Sequence, residues 1–230
     1  MFEIKNVSMI YDMNSDDKVY ALNDFSLTLP DSGLVGIVGP SGSGKSTLMY
    51  VMSTLKFPTE GDVVYNGHKL TGLTNKQREN MRRNEFGFVF QKHYLVPYMT
   101  AMDNVMVAAT DDNKKALDKA REHLEALGLK EREFGKRPSK LSGGQCQRVA
   151  IARAMINNPN VIFADEPTAS LDHENAFRVM DVLKKYSEEK LVIVVTHDRS
   201  ILTEAELLVE MWDGKLSNVS ESVPERKKDE

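Results

Sequence analysis

The apolar residues of this chain concentrate in three short runs, at residues 34–38, 160–164 and 191–195. Short apolar runs bounded by turn-forming residues are typical of strands that are buried on both faces of a parallel sheet. Residues 161–211 follow the order strand, helix, strand. The pattern therefore predicts a parallel α/β core that begins at Leu34.

Two further patterns lie outside this core. Residues 1–30 alternate between apolar and polar positions and predict an antiparallel edge sheet, and residues 61–67 indicate a strand that closes on an Asn-Gly turn. Residues 92–158 are mostly helical in pattern, and the helix predicted within 113–128 has Gly128 at its C-terminal cap. The sequence thus predicts a helical lobe inserted into the α/β core.

Composition excludes several classes of protein. With 230 residues, 41% of them hydrophobic, the chain is long enough for one large core and a smaller lobe. Its net charge of -4 argues against binding nucleic acid through bulk charge. We expect neither a membrane span nor an apolar signal segment. The tail from Ser217 onward is polar and is expected to be frayed.

A glycine-rich segment directly after the first core strand fits the pattern GxxxxGK[ST]. It comprises Gly39, Pro40, Ser41, Gly42, Ser43, Gly44, Lys45, Ser46 and Thr47, and an apolar helix start follows. In this context the backbone N–H groups curl around phosphates, and the helix directs its positive end at them. We expect Lys45 to reach the β- and γ-phosphates and Ser46 to ligate Mg²⁺. The alternative is a glycine-rich turn that binds nothing.

Acidic and imidazole side chains follow the second and third core strands. Asp165 and Glu166 come directly after residues 160–164, and His197 follows residues 191–195. Ligands of a parallel sheet bind beyond the carboxyl ends of its strands. We expect Asp165 to bind Mg²⁺ there, Glu166 to polarise an attacking water, and His197 to hydrogen-bond the γ-phosphate. The alternatives are an acidic turn and an ordinary polar loop residue.

A second glycine motif, Leu-Ser-Gly-Gly-Gln, occupies residues 141–145 and precedes a run of good helix formers. Ser142 is a typical N-cap residue, so the motif predicts the start of a helix. Such a helix end binds anions. The chain therefore has two phosphate-binding helix ends, and one copy of it cannot wrap both around one nucleotide.

These motifs, in this order, resemble those of the nucleotide-binding subunit of ABC (ATP-binding cassette) transporters over nearly the whole chain. The resemblance implies a P-loop NTPase (RecA-like) α/β fold, with a parallel-sheet core, an N-terminal antiparallel β subdomain and an inserted α-helical signature subdomain. It implies one ABC ATPase domain over residues 1–230, with the core at 1–91 and 159–216, the helical subdomain at 92–158 and a polar tail at 217–230. No motif is missing, so the resemblance implies an ATPase that converts ATP and water to ADP and phosphate.

The resemblance also assigns roles to single residues. Glu166 takes the position of the general base, His197 that of the switch histidine, and Gln91 that of the Q-loop glutamine. Lys45 completes the catalytic set, and the implied Mg²⁺ ligands are Ser46, Gln91 and Asp165. The implied ATP contacts are Tyr11, Gly39, Pro40, Ser41, Gly42, Ser43, Gly44, Lys45, Ser46, Thr47, Gln91, Ser142, Gly143, Gly144, Gln145 and Asp172.

Three positions carry more specific expectations or alternatives. Tyr11 is expected to stack on adenine; Tyr20 is a nearby competitor, and a plain strand-end aromatic is the alternative. Asp172 ends the Ser-Leu-Asp sequence that resembles the D-loop. Cys146, the only cysteine, stands where the family has a polar residue. It fits a reducing cytoplasm, and we expect a small helix residue there, with a reactive thiol at the helix N-terminus as the alternative.

The resemblance implies two kinds of partner. One is a second copy of the chain, in a head-to-tail homodimer with two ATPs sandwiched between the phosphate loop of one copy and the signature of the other. The other is an integral membrane permease subunit that docks near residues 91–99, where an aromatic and apolar cluster forms either core or an exposed groove. The chain would then be cytoplasmic and peripheral on the inner face of the cell membrane. No nucleic-acid partner is expected.

Several stretches are most similar to the LolD/MacB-type branch, which serves lipoprotein, macrolide or peptide export or transmits force across the membrane. These stretches are residues 20–22, 87–91, 97–105 and 141–154. Two alternatives stay open, an amino-acid-type uptake ATPase and a soluble ABC ATPase without a role in transport. Members of the second class usually carry a long coiled coil, zinc-finger cysteines or two cassettes, and this chain has one cassette and one cysteine.

Overall fold

The computed structural model describes residues 1–11, 18–111 and 113–221. The strands are β1 Phe2–Tyr11, β2 Val19–Leu29, β3 Gly33–Val38, β4 Glu60–Tyr65, β5 His68–Lys69, β6 Phe86–Val89, β7 Val161–Asp165, β8 Leu191–Thr196, β9 Leu207–Trp212 and β10 Lys215–Glu221. The helices are α1 Lys45–Met52, α2 Asn75–Asn84, α3 Ala101–Met106, α4 Lys114–Ala126, α5 Glu131–Phe134, α6 Gly143–Met155 and α7 His173–Ser187. Short 3-10 helices occur at Pro138–Lys140 and Arg199–Leu202.

The N-terminal sheet is antiparallel, with the strand order β2-β1-β4-β5. Its apolar positions alternate with polar ones because one face is buried and the other is not. Between β4 and β5, Asn66 and Gly67 have φ angles of 48° and 78°, as the tightest hairpin turns require. The predicted antiparallel sheet and its Asn-Gly turn are confirmed.

The larger sheet has the order β10-β9-β3-β8-β7-β6. The pairs β3–β9, β3–β8, β8–β7 and β7–β6 are parallel, and only β9–β10 is antiparallel. Every residue of β3, β7 and β8 is buried, which explains their unbroken apolar sequences. The predicted parallel core is confirmed, and its three central strands are those that carry the motifs at their ends.

Side chains of opposite faces of the parallel sheet enter two separate cores. Leu34 and Val38 pack in a cluster with residues of α3, α4, α6 and α7, whereas Val35 and Ile37 pack with α1 and the antiparallel sheet. The α/β core is thus a sheet covered on both sides, with the helices that lie between β6 and β7 in the chain on one side. This arrangement leaves the carboxyl ends of the strands free to build a site.

One expectation about the C-terminal tail is wrong. Residues 217–221 are not frayed but belong to β10, which pairs with β9 through contacts such as Val219 with Val209. The sequence signal for this hairpin is Asp213-Gly214, whose φ angles are 48° and 72°. The pairing supplies the backbone hydrogen bonds that a frayed tail would lack. The rest of the predicted tail, residues 222–230, lies outside the described residues.

None of the helices within the described ranges has both the length and the apolar character that crossing a bilayer requires.

Candidate active site

The motif residues at the ends of β3, β7 and β8 meet at one cavity of about 570 Å³. Parallel pairing of neighbouring strands places Asp165 directly opposite Val195, so the ends of β7 and β8 lie side by side. The residues that line the cavity are Ala21, Ser41, Gly42, Ser43, Gly44, Lys45, Ser46, Thr47, Gln91, Asp165, Glu166 and His197. Of the predicted ATP contacts, those that do not line it are Tyr11, Gly39, Pro40, the signature residues 142–145 and Asp172.

The phosphate-loop segment is held in a curled form by its own backbone and by neighbouring strands. Gly44 precedes α1 with a φ of 95°, and a Cβ there would lie 2.2 Å from the carbonyl oxygen of Ala21, so only glycine fits. The backbone N–H of Gly214 donates to the carbonyl oxygen of Ser43 at 3.1 Å. The loop and the N-terminus of α1 therefore form an anion-binding cradle within the chain itself.

Lys45 closes this cradle. Its ammonium donates to the carbonyl oxygens of Gly39 and Pro40, both at 2.8 Å. Burial lowers the pKa of Lys45, and the carboxylates of Glu166 and Asp165 oppose that shift. The amine thus stands between the loop and the acidic wall of the cavity, where it can exchange carbonyl acceptors for phosphate oxygens.

Ser46 and Asp165 provide adjacent oxygen ligands on the opposite wall. The hydroxyl of Ser46 donates to Oδ1 of Asp165 at 3.2 Å, and Asp165 is only 7% exposed. Burial raises the pKa of Asp165, as does nearby Glu166, whereas Ser46 and Lys45 lower it. A hydroxyl and a carboxylate oxygen are the hard ligands that Mg²⁺ prefers, and a cation here would offset the cost of burying the carboxylate. The residues present therefore fit Mg²⁺.

The carboxylate of Glu166 is fixed by groups at the end of β8. Its Oε2 accepts from the hydroxyl of Thr196 at 3.0 Å, and its Oε1 accepts from the backbone N–H of His197 at 3.1 Å. The Nδ1 atom of His197 lies 2.7 Å from the same Oε1. Glu166 also has a φ of 50°, a backbone conformation that side chains adopt at a cost and that is concentrated at functional sites. Glu166 and His197 thus line the cavity side by side, with the carboxylate held in one orientation.

Tyr11 lies at the end of β1, and its hydroxyl accepts from the ammonium of Lys56 at 2.6 Å. That ammonium is also 4.8 Å from the centroid of the Tyr11 ring, within the range of a cation–π contact. Tyr20 lies on the neighbouring strand and is 44% exposed. The assignment of Tyr11 to adenine stays a prediction, and sequence reasoning did not find its Lys56 partner.

The signature segment begins α6 as predicted. Ser142 is the N-cap: its hydroxyl accepts from the N–H of Gln145 at 3.2 Å, and Oε1 of Gln145 accepts from the N–H of Ser142 at 2.9 Å. Ser142 and Gly143 are exposed, at a place separate from the cavity. Asp172 caps α7 in the same way, through the N–H of Asn175 at 2.9 Å. The N-terminal ends of α6 and α7 therefore lie outside this cavity, and a ligand that they contact would have to be held at another site.

Cys146 is a buried helix residue, and the reactive-thiol alternative is wrong. It is 8% exposed, and its Sγ lies 3.7 Å from the carbonyl oxygen of Pro138. Burial raises the pKa of the thiol, because the charged thiolate loses its solvation.

A groove lies beside the segment that follows Gln91. Its cavity has a volume of about 400 Å³, and Val107 at its edge is 54% exposed. The lining residues are Arg83, Phe86, Gly87, Phe88, Phe90, Val107, Ala108, Ala109, Arg153, Ala154, Asn157 and Pro159. Tyr94 and Tyr98, from the predicted docking segment, are 66% and 71% exposed, and the Tyr94 ring packs edge-on against Phe90. The aromatic cluster is thus partly exposed, which agrees with the alternative of an exposed groove more than with that of core.

Asn104 holds this segment in shape. It is fully buried, its Oδ1 accepts from the N–H of Val96 at 2.6 Å, and its Nδ2 donates to three carbonyl oxygens, those of Val96, Met99 and Thr100. One side chain therefore satisfies several backbone groups of an otherwise irregular loop.

Replacing Asn104 with Ala is expected to lower the free energy of unfolding by about 1–3 kcal/mol, because buried backbone groups lose their partners. Urea denaturation followed by circular dichroism would measure the change, with Asn218→Ala on exposed β10 as the control. Equal stability of the two variants would contradict the role assigned to Asn104.

Comparison with known proteins decides the family. The ABC transporter family profile matches residues 22–169. The chain is 40% identical over 224 residues to an uncharacterized ABC transporter ATP-binding protein of Methanocaldococcus jannaschii, covering 94% of this chain and 95% of the relative. The chain belongs to the ABC transporter family.

Other ABC relatives are similar over the same range. The lipoprotein-releasing system ATP-binding protein LolD of Wigglesworthia glossinidia brevipalpis is 38% identical and covers 94% of this chain, which in turn spans 96% of LolD. The macrolide export ATP-binding/permease protein MacB of Bdellovibrio bacteriovorus is 41% identical over 95% of this chain, which spans 34% of MacB. The chain is thus similar to the whole of one relative and to about a third of the other.

A solved ABC cassette has the same fold as this chain. It is a dimeric post-hydrolysis state bound to ADP and Pi, with a TM-score of 0.90, 38% identity and coverage of 96% of this chain and 98% of that one. The predicted ABC fold, an α/β core with an antiparallel β subdomain, is therefore confirmed. As an ABC ATPase, the chain is an ATP-binding subunit of an ABC transporter.

Proposed function

We propose that this chain hydrolyses ATP to drive a separate membrane permease, through closure of a head-to-tail homodimer. The observation that carries the proposal is the convergence of Lys45, Asp165 and Glu166 at one cavity, while the signature end of α6 is exposed elsewhere. The cavity holds the phosphates and the general base, and a second copy supplies the missing signature. We also propose the domain boundaries 1–91 with 159–221 for the core, which extends the expected end at residue 216 to the end of β10, and 92–158 for the helical subdomain.

Binding follows from the geometry of the cradle. Backbone N–H groups of the loop receive the phosphates, and Lys45 transfers its hydrogen bonds from loop carbonyls to the β- and γ-phosphates. Ser46 and Asp165, with Gln91, would hold Mg²⁺, which supplies positive charge at the phosphate oxygens. We assign Tyr11 to the adenine ring, with Lys56 fixing its orientation. These residues bind and orient the substrate.

Hydrolysis needs a base beside the γ-phosphate. Glu166 is oriented by Thr196 and His197, so its carboxylate can accept a proton from an attacking water. His197 is close enough to Glu166 to stabilise it, and its exposed ring can turn toward the γ-phosphate. The pair therefore supplies general-base catalysis and positioning of the water.

Homodimerisation completes the site. The exposed N-terminus of α6 carries anion-binding N–H groups, and the similar cassette that was solved with ADP and Pi is a dimer. An isologous two-fold arrangement gives both copies the same pair of contacts. We assign Ser142, Gly143, Gly144 and Gln145 to the ATP held by the partner, with Asp172 at the same interface.

The groove beside Gln91 is the proposed docking site of the permease. Its lining combines aromatic residues with Arg83 and Arg153, and Phe90 directly precedes Gln91, which lines the ATP cavity, so occupancy of one site can bias the other. Two relatives carry names that suggest the type of partner, MacB as a macrolide export ATP-binding/permease protein and LolD as the ATP-binding protein of a lipoprotein-releasing system. We therefore propose a permease of the lipoprotein, macrolide or peptide export or mechanotransmission type as the partner. We propose that the chain is peripheral on the inner face of the cell membrane, bound through this partner.

Replacing Val107 with Glu is expected to release the permease while leaving basal ATP hydrolysis within about twofold, because a charged side chain in place of Val107 would have to lose its solvation when the partner binds. The measurement is copurification with the permease together with phosphate release. The matched control is Val219→Glu, on β10, where the side chain is 40% exposed. Retention of the permease by Val107→Glu would place docking elsewhere.

The test of the proposed function is capture of membrane partners by tagged Glu166→Gln protein with ATP. Detergent-solubilised membranes of the native host are used, and bound proteins are identified by mass spectrometry. A polytopic partner with a large extracytoplasmic domain supports the export or mechanotransmission branch, and a partner that works with a substrate-binding protein supports the amino-acid uptake alternative. Purely soluble partners would favour the ABC ATPases that work off the membrane.

A further inference from the structure

A buried arginine lies between the signature helix and the start of α7. Arg148 is on α6, is 7% exposed, and donates through its guanidinium to Oδ1 of Asn175. Burial lowers the pKa of this guanidinium, and the carboxylates of Glu133 and Asp172 act in the opposite direction. A buried cation of this kind is costly unless its surroundings are fixed around it.

Asn175 passes this contact on to Asp172. The Nδ2 atom of Asn175 donates to both carboxylate oxygens of Asp172, at 2.9 and 2.8 Å, and its backbone N–H donates to Oδ1 at 2.9 Å. Because Asn175 uses its oxygen for Arg148 and its nitrogens for Asp172, one side chain fixes two partners at once. The exposed carboxylate of Asp172 is thus oriented from α6, on a different element.

The signature turn also packs directly on the segment before Asp172. A Cβ on Gly144 would lie 2.9 Å from a methyl carbon of Leu171 and 3.3 Å from the carbonyl oxygen of Ser170. On the other side, Nε2 of Gln145 donates to Glu133 at 2.7 Å. The signature turn is therefore clamped between α5 and the segment that leads into α7.

That segment leads back to Glu166 through two turns. The N–H of Ala169 donates to the carbonyl oxygen of Glu166 at 3.3 Å, and the N–H of Leu171 donates to that of Thr168 at 3.0 Å. A shift of Asp172 relative to α6 would therefore move the backbone segment that is hydrogen-bonded to Glu166, the general base. In a sandwich dimer the signature and Glu166 of one chain serve different ATP molecules.

We propose that Arg148 is a positioning residue, which joins the signature turn and Asp172 into one unit through Asn175. The proposal goes beyond the proposed function and rests on it only for the consequence at the dimer interface. At that interface the signature turn and Asp172 contact the partner as one unit. Binding of one ATP by the signature turn therefore aligns the segment that supports Glu166 beside the other ATP. The link consists of contacts within one chain and exists before any dimer forms.

The variants for the test are Arg148→Met, Asn175→Ala, their double variant, and Arg148→Lys as the conservative replacement. Arg178→Met is the matched control, since Arg178 is an exposed cation on α7 that pairs with Glu174. Arg148→Met removes the buried charge itself, whereas Asn175→Ala removes the same link and leaves Arg148 buried without this partner, so the two variants perturb folding for different reasons and either keeps the test available if the other fails to fold. Thermal unfolding identifies the variants that are folded.

The first readout is hydrogen–deuterium exchange of monomers without nucleotide, in the peptide that contains Asp172–Ala176. We expect Arg148→Met and Asn175→Ala each to raise exchange there by roughly tenfold, and Arg178→Met to leave it unchanged. Exchange in the double variant should be no higher than in either single variant, because the two substitutions remove the same link. Unchanged exchange in Arg148→Met, or additive effects, would overturn the proposal whether or not the chain acts in a transporter.

The second readout is ATP-driven dimerisation in a Glu166→Gln background, by size-exclusion chromatography with light scattering. We expect Arg148→Met to weaken dimerisation roughly 5- to 150-fold while ATP binding to the monomer stays the same, with partial rescue by Arg148→Lys. Full dimerisation by Arg148→Met would overturn the interface consequence. If Glu166→Gln itself forms no dimer with ATP, the sandwich fails, and the exchange readout still decides the role of Arg148.

Discussion

Replacing Glu166 with Gln is expected to slow ATP hydrolysis by roughly 100- to 10,000-fold while ATP binding is retained. The amide has the shape of the carboxylate and can still accept the hydrogen bond from the backbone N–H of His197, so the site keeps its geometry. It cannot accept a proton from water, so the chemical step loses its base. Bound ATP then persists, and the dimer that it closes should accumulate.

Phosphate release and size-exclusion chromatography with ATP would measure the two effects on the same sample. The control is Glu189→Gln, an exposed carboxylate just beyond the C-terminal end of α7, which should hydrolyse ATP at the wild-type rate. Rapid turnover by Glu166→Gln would remove Glu166 as the base and direct attention to His197. Slow turnover without a stable dimer would keep the base and contradict the sandwich.

Much of the site could be predicted because each part of it is local in the sequence. The glycine-rich loop follows a buried strand, and Ser142 precedes a helix by the ordinary rules of capping. Asp165 ends another buried strand, and Glu166 follows it directly. Parallel sheets gather such ends at one edge, so a common cavity follows from the strand pattern alone.

The contacts between motifs could not be predicted, because they depend on which strands are neighbours. Glu166 meets His197 only because β7 pairs with β8 in the register that places Asp165 opposite Val195. The link from Arg148 to Asn175 likewise depends on how α6 lies against α7. Sequence spacing says nothing about either, since both join residues that are distant in the chain.

The groove is another feature that could not be predicted from the sequence, because it depends on how the helical lobe packs. Its walls come from α2, β6, α6 and the segment that follows α3, and β6 approaches α6 so closely that a Cβ on Gly87 would lie 2.4 Å from the carbonyl oxygen of Ala154. Sequence reasoning placed the partner surface at residues 91–99 because the aromatic side chains cluster there. It did not point to Val107 and Arg153, which line the groove and whose positions follow from tertiary packing.

Replacing Ser142 with Arg is expected to reduce ATP hydrolysis to a few per cent of the wild-type rate or less, a loss on the order of 100-fold. Ser142 is exposed at the signature end of α6, outside the ATP cavity of its own chain. An arginine there removes the N-cap, which costs about 1 kcal/mol, and places a long side chain where the partner's ATP should sit. The phosphate loop is untouched, so the monomer should bind ATP within about twofold of the wild-type affinity.

Binding can be followed by the fluorescence of Trp212, the only tryptophan, which lies just before the turn whose Gly214 contacts Ser43 of the phosphate loop. Ser142→Thr is the matched control, because it keeps the capping hydroxyl and adds only a methyl group. In the Glu166→Gln background, Ser142→Arg should abolish the ATP-dependent dimer and Ser142→Thr should retain it. Wild-type hydrolysis by Ser142→Arg would show that the signature does not contact ATP, and loss of ATP binding by the monomer would show that the substitution disturbs more than the interface.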